Sequence, residues 1–140
     1  MRAQLVIIAS LSLLATSADA RVGETVKQVE ARYGKPQTVY IDRPDLRKAF
    51  YGYRGFGIIV YFTGGVSKRE SFGRANLPKL PPETVNELLK LSARPGTTWQ
   101  PILKEHDDYY WVSSDKKVIA QFAAPGTIFL VQERHFKSSQ

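Results

Sequence analysis

Residues 24–74 are written again, loosely, at 83–134. Glu24-Thr25-Val26 recurs as Glu83-Thr84-Val85, Ile58-Ile59-Val60-Tyr61-Phe62 as Val118-Ile119-Ala120-Gln121-Phe122, and Gly65-Val66 as Gly126-Thr127. The offset is about sixty residues and drifts slightly, as loop insertions make it drift. Such a repeat predicts one helix and a few strands per unit, with two units sharing a core. It constrains architecture far more than chemistry.

Each copy opens on a helical period. Val22, Val26, Val29 and Tyr33 fall on one face of a 3.6-residue repeat, and Gly34 and Pro36 stop it. In the second copy Pro82 suits a first helical turn, Val85, Leu88, Leu89 and Ser92 make the buried stripe, and Pro95-Gly96 ends it. Leu77-Pro78 through Pro81-Pro82 reads as an extended linker.

The period then switches to two. Strands are expected near 37–41, 48–54, 57–62 and 66–74, and again near 98–103, 108–113, 117–123 and 127–134. Gly64-Gly65 and Pro125-Gly126 are hairpin turns, so consecutive strands are antiparallel. Ile58, Val60 and Phe62, with Val118, Ala120 and Phe122, are placed on the side facing the helices. The expected fold class is therefore α+β: two tandem helix-plus-antiparallel-strand repeats, 21–79 and 80–140, forming one sheet with helices packed on one face. The opposite face is left to water, to a partner or to self-association.

Residues 1–20 are set apart as a secretory leader. Met1-Arg2 is a positive start, Leu5 to Leu14 an apolar run too short to span a bilayer, and Ala18-Asp19-Ala20 a cleavage signal. A periplasmic or secreted location follows. The chain contains no cysteine, which excludes disulfides, thiolate metal sites and a cysteine nucleophile. From Arg21 to Lys79 there are twelve Lys/Arg against five Asp/Glu, and from Leu80 to Gln140 seven of each. The whole positive excess thus lies in the first half, a pattern that fits either a difference in what the halves face or drift on a solvated surface.

The run Val22-Gly23-Glu24-Thr25-Val26 through Tyr33-Gly34-Lys35-Pro36, followed by Phe50-Tyr51-Gly52-Tyr53, Ile59-Val60-Tyr61-Phe62 and Gly65-Val66, resembles the BamE/SmpA-type outer-membrane lipoproteins. It is also similar to the tandem modules of the β-lactamase inhibitor protein. The resemblance implies a small helical layer backing an antiparallel sheet, and protein–protein contact at the bacterial envelope. The lipid-bearing cysteine of those lipoproteins has no counterpart here.

Chemical motifs are few. Arg54 to Tyr61 approaches an RNA-recognition signature, but it lacks the aromatic strand upstream that such a sheet needs, and a leader removes the RNA. Glu105-His106-Asp107-Asp108 reads as a hydrated turn, because adjacent strand residues point to opposite faces and do not converge on one ion. His106 and His135 belong to no nucleophile motif, and Asp42 and Asp45 flank a turn at Arg43-Pro44. No enzymatic activity, cofactor or metal is indicated.

The expectation is an exported interaction module that binds an envelope protein. Its candidate contact residues are Tyr53, Arg54, Phe56, Tyr61, Lys68, Arg69, Arg74, Tyr110 and Trp111, of the types enriched at interface hot spots. The alternative is an anionic envelope polymer, lipopolysaccharide or an acidic glycan, on the basic first half. Nucleic acid and membrane spanning are not expected. Arg47 and Lys48 stand where the second copy has Asp107 and Asp108, an opposition that suits head-to-tail self-association.

Overall fold

The computed structural model describes residues 21–74, 79–102, 108–123, 126 and 128–135. The leader, Leu77-Pro78, the Glu105-His106-Asp107 cluster, Pro125 and Thr127 lie outside the described residues.

Eight strands follow the two-residue alternation of the sequence. They are β1 (Thr38–Arg43), β2 (Leu46–Tyr53), β3 (Phe56–Thr63), β4 (Val66–Gly73), β5 (Trp99–Pro101), β6 (Tyr109–Ser113), β7 (Val118–Ala123) and β8 (Ile128–Glu133). All belong to a single antiparallel sheet in the order β1-β2-β3-β4-β8-β7-β6-β5. Tight turns close the hairpins: Arg54-Gly55 and Gly64-Gly65 both run at positive φ, the conformation that matches strand twist.

Two helices rest against one face, α1 (Val26–Tyr33) and α2 (Pro82–Ser92). Helix α1 begins later than its apolar stripe because Thr25 and Gln28 form a capping box, each side chain meeting the other's backbone N–H. Val22 is nevertheless buried. The Ser67 hydroxyl accepts from the N–H groups of Gly23 and Glu24 and so ties this approach segment to β4. Beside the other helix, the Trp99 indole N–H donates to the Leu89 carbonyl at 2.6 Å.

This architecture corrects the expected fold class. The chain is a mostly β protein built on one continuous sheet, with two short helices, rather than an α+β assembly of two tandem repeats. The seam gives the reason. Strand β4 pairs directly with β8, Arg69 opposite Gln132 through Phe72 opposite Phe129, so both halves share one ladder. The matching Glu-Thr-Val triplets are not equivalent either. Val26 is the first residue of α1, whereas Val85 is the fourth of α2 and lies a full turn inside it.

The core lies between sheet and helices. Ala49, Tyr51, Ile58, Val60, Phe62, Phe72, Val118, Ala120, Phe129 and Val131 meet Val29, Tyr33, Val85, Leu88 and Leu89. Within it sits a charged cluster. Glu70, 1% exposed, accepts from Arg32 Nη2 at 3.1 Å and from the Tyr33 hydroxyl at 3.0 Å, and Arg32 also reaches Glu24 at 2.6 Å. Burial pushes the Glu70 carboxyl upward from its ordinary value, against the pull of Arg32. The Tyr33 hydroxyl is pushed well up by burial and by the neighbouring Glu70 charge.

Candidate interaction face

Strand parity and register decide which side chains reach the other face. Across β2, β3 and β4 they place Gly52, Gly57 and Gly73 in one row. The next row runs Phe50, Ile59, Ser71, Leu130, Gln121, Tyr110. A third spans all eight strands as Tyr40, Lys48, Tyr61, Arg69, Gln132, Ile119, Val112, Gln100. Among the described residues no helix or strand lies over these rows, so half-buried Phe50, Ile59, Ile119, Leu130 and Val112 form an apolar band on an open face.

The third row alternates aromatic and cation through its first half. Lys48 Nζ stands 5.6, 5.8 and 5.9 Å from the ring centroids of Tyr40, Phe50 and Tyr61, and the Arg69 guanidinium 5.3 Å from Tyr61. These distances lie within cation–π range, so the rings hold the charged groups over the face. In the second half the same row is uncharged. At the end of the neighbouring row, the Gln121 amide donates to the Tyr110 hydroxyl at 3.2 Å and to Asp108 at 3.3 Å.

The glycine row has a spatial meaning. None of Gly52, Gly57 and Gly73 has the positive φ that would demand glycine. Nothing but a carbonyl oxygen 4.0 Å away would meet a Cβ at Gly57. At Gly52 the place of a Cβ is taken by the Gln37 side chain, 2.9 Å away, so that glycine makes room within the chain; Gly57 leaves its place open, as glycine does where another chain or ligand comes close. Here the row cuts a furrow beside Phe50, Ile59 and Ile128, bordered by Gln37, Ser71 and Arg74.

The residues singled out in the sequence divide between the two faces. Tyr61, Arg69 and Tyr110 reach the open face, as does Lys48. Tyr53, Phe56 and Trp111 share the helix side with the core: Phe56 is buried under the Arg74 guanidinium, 4.3 Å from its centroid, Tyr53 lies tilted against Tyr33, and Trp111 lies against Tyr109 and Phe129. Arg54 occupies the β2–β3 turn at φ 49°, exposed. Lys68 is the extra residue of a β-bulge, since Tyr61 pairs with Arg69 but Phe62 with Ser67, and it forms an ion pair with Glu133 at 2.7 Å. Arg47 turns to the helix side, 3.4 Å from Glu30. Asp108 lies beside Tyr110, and Asp107 is outside the described residues.

Sequence reading missed Tyr40, Phe50 and Leu130 as open-face residues, and the glycine row, while Ile59, Tyr61, Ile119 and Gln121 stand on that face as alternation places them. The signal was available in Lys48-x-Phe50-x-Gly52 and Gly57-x-Ile59-x-Tyr61, which become adjacent once the hairpin turn is fixed at 54–55.

No family model matches the chain, and no curated protein matches it. Among solved structures it is similar to a cysteine-rich secretory protein from Staphylococcus aureus, at 12% identity and TM-score 0.47 over 81% of this chain and 44% of that one. It is also similar to an extracellular protein containing an SCP domain from Bacillus anthracis, at 13% identity and TM-score 0.46 over 96% and 49%. The chain thus spans just under half the length of either. The resemblance to BamE/SmpA-type lipoproteins, and with it the tandem inhibitor module, is corrected: that family is a small α+β fold, whereas this chain is mostly β, built on one eight-stranded antiparallel sheet, and no family model supports the likeness. Among the described residues no helix is long and apolar enough to cross a membrane.

Proposed function

We propose that this chain is an exported, non-enzymatic interaction module of the bacterial envelope, periplasmic or secreted, that binds a protein partner through the open face of its sheet. One observation carries the reading: an apolar band of Phe50, Ile59, Leu130 and Ile119 runs beside an aromatic–cation row and a glycine furrow, with no described element over it. Rings and aliphatic side chains would supply burial, and Lys48 and Arg69 would supply orientation and fast encounter. Export is supported by Met1-Arg2, the apolar run from Leu5 to Leu14 and Ala18-Asp19-Ala20.

An anionic glycan is the second reading, favoured by the alternation of Tyr40, Lys48, Tyr61 and Arg69, on which sugar rings could stack while acid groups meet the cations. It ranks lower because the basic residues form no single track: Arg54 sits at a turn, Lys68 is paired with Glu133, and Arg74 covers Phe56. Salt separates the two, since binding through exposed charges fades once the Debye length shrinks to about 8 Å and apolar binding persists.

The test is capture from envelope extract by the wild-type chain, by Tyr61→Ala and by Lys48→Glu/Arg69→Glu, at low and physiological salt. The protein reading expects a partner retained at physiological salt and lost with Tyr61→Ala. A ligand lost at physiological salt and with the charge reversals identifies the glycan, for which Tyr61→Ala weakens capture further by removing a stacking ring. Capture that neither variant changes removes the open face from consideration.

A further inference from the structure

The two edges of the sheet are unlike. Strand β5 is only three residues long and ends in Pro101, which has no N–H to offer, so that edge is blunted. Strand β1 is six residues long, carries no proline or lysine and is exposed along its whole length, with a register shift between Ile41 and Arg43 that confines a regular outer ladder to Val39–Ile41. Val39, Tyr40 and Ile41 are 37%, 52% and 69% exposed, and they are half of the large exposed apolar residues among those described. An antiparallel edge leaves every second residue's N–H and C=O facing outward, so β1 offers an open ladder beside an unburied apolar strip.

The strand is also self-complementary. Pro36 and Pro44 stand equally far on either side of Tyr40, and each ends any ladder formed on that edge. Between them the sequence Gln37-Thr38-Val39-Tyr40-Ile41-Asp42-Arg43 is symmetric in kind about Tyr40: β-branched apolar neighbours, then short polar residues, then long polar ones. We propose that β1 is a homodimerisation edge, pairing antiparallel with β1 of a second copy about a two-fold axis at Tyr40. Val39 of one copy then faces Ile41 of the other, twice, and Tyr40 faces Tyr40. Registers centred on Val39 or Ile41 bring a proline into the ladder and shorten it.

Charge does not oppose the pairing. Lys48 is the cross-strand neighbour of Tyr40, so the two Lys48 side chains in the dimer are rooted three strand spacings apart, about 14 Å. That exceeds the physiological Debye length of about 8 Å. The open-face row would run continuously through the joint as Arg69, Tyr61, Lys48, Tyr40 and their symmetry mates, doubling the aromatic–cation track. One six-residue strand pair buries less than a standard interface, so the dimer is expected to depend on concentration.

The absence of native cysteine makes the register directly readable. Cross-strand residues in a non-hydrogen-bonded antiparallel pair have Cα atoms about 4.5 Å apart, inside the disulfide range of about 4.4–6.8 Å. Tyr40→Cys should therefore cross-link to a dimer under mild oxidation. Thr38→Cys, whose symmetry mates would lie about 14 Å apart along the two strands, should not. In parallel, sedimentation velocity of the purified wild-type protein should show mass rising toward the dimer with concentration, and Ile41→Lys should hold it at monomer with an unchanged far-UV spectrum. A wild-type monomer at every concentration overturns the proposal, as does a dimer that Ile41→Lys leaves intact. Cross-linking through Thr38→Cys as readily as through Tyr40→Cys overturns the register and with it the argument from symmetry.

Discussion

Removing Arg32 should damage this protein more than removing Glu70, although the two are partners in one ion pair. The Arg32 side chain is 4% exposed and contacts two carboxylates, Glu24 at 2.6 Å and Glu70 at 3.1 Å. Glu70 →Ala leaves the guanidinium neutralised by Glu24 and strips one acceptor from the Tyr33 hydroxyl, a loss of about 1–3 kcal/mol. Arg32→Ala strands a carboxylate that is 1% exposed, with the Tyr33 hydroxyl still donating to it in the core, and should cost about 3–5 kcal/mol. Against a total stability of about 5–15 kcal/mol for a domain, that brings the variant close to unfolding. The penalty should also depend on pH. Burial holds the folded Glu70 carboxyl above its ordinary value of 4.5, so the folded protein keeps this proton to higher pH than the unfolded chain does. Its contribution to stability is therefore fullest below the unfolded value and declines as pH rises through the folded one. Without Arg32 only the Tyr33 hydrogen bond still opposes the upward push and the window widens, so Arg32→Ala should lose more at neutral than at mildly acidic pH. Urea unfolding followed by the fluorescence of Trp99 and Trp111 measures both effects, with an unchanged slope showing that the same surface is exposed. A deficit that is equal at the two pH values, or Glu70→Ala costing as much as Arg32→Ala, would refute the reasoning.

Three further outcomes are expected. Phe72 and Phe129 face each other across the β4–β8 seam with centroids 6.1 Å apart, so each change to alanine should cost about 3–5 kcal/mol, with a coupling of about 0.5–1.5 kcal/mol in a double-mutant cycle. Asp115 accepts from the Ser113 hydroxyl and the Lys117 N–H, which hold its carboxyl below the ordinary value; stability from it is present above the unfolded value and lost as pH falls through the folded one, so Asp115→Asn should lower Tm at neutral pH and cease to matter in acid. Gly57→Ala should fold with stability unchanged or raised by about 0.4–1 kcal/mol, because its φ is not positive and its Cβ meets open space, whereas Gly57→Phe should fill the furrow and weaken partner capture at unchanged Tm.

Much of the local structure was written in the chain. Two-residue alternation and Gly-rich turns specify eight strands, and Gly34-Lys35-Pro36 with the Thr25/Gln28 box bounds α1, because these signals act over a few residues. The internal duplication misled at the next level. It marks similar short patterns but not their use: strands from both halves enter one ladder through β4 and β8, a pairing between residues far apart in sequence that no local preference encodes. The aromatics of β2 show the same limit. Phe50 and Tyr51 are neighbours of similar character, yet Tyr51 is buried beneath α1 and Phe50 looks out from the open face. Alternation says that they part company, but only the helices decide which side is the core. The Lys68 bulge breaks parity within β4, so Arg69, not Lys68, joins Tyr61 on the open row. Side-chain chemistry, turn geometry and the buried face of β3 and β7 were legible from the chain; the register across the β4–β8 seam and the sharing of one ladder are set by contacts between distant residues, and only the folded sheet decides them.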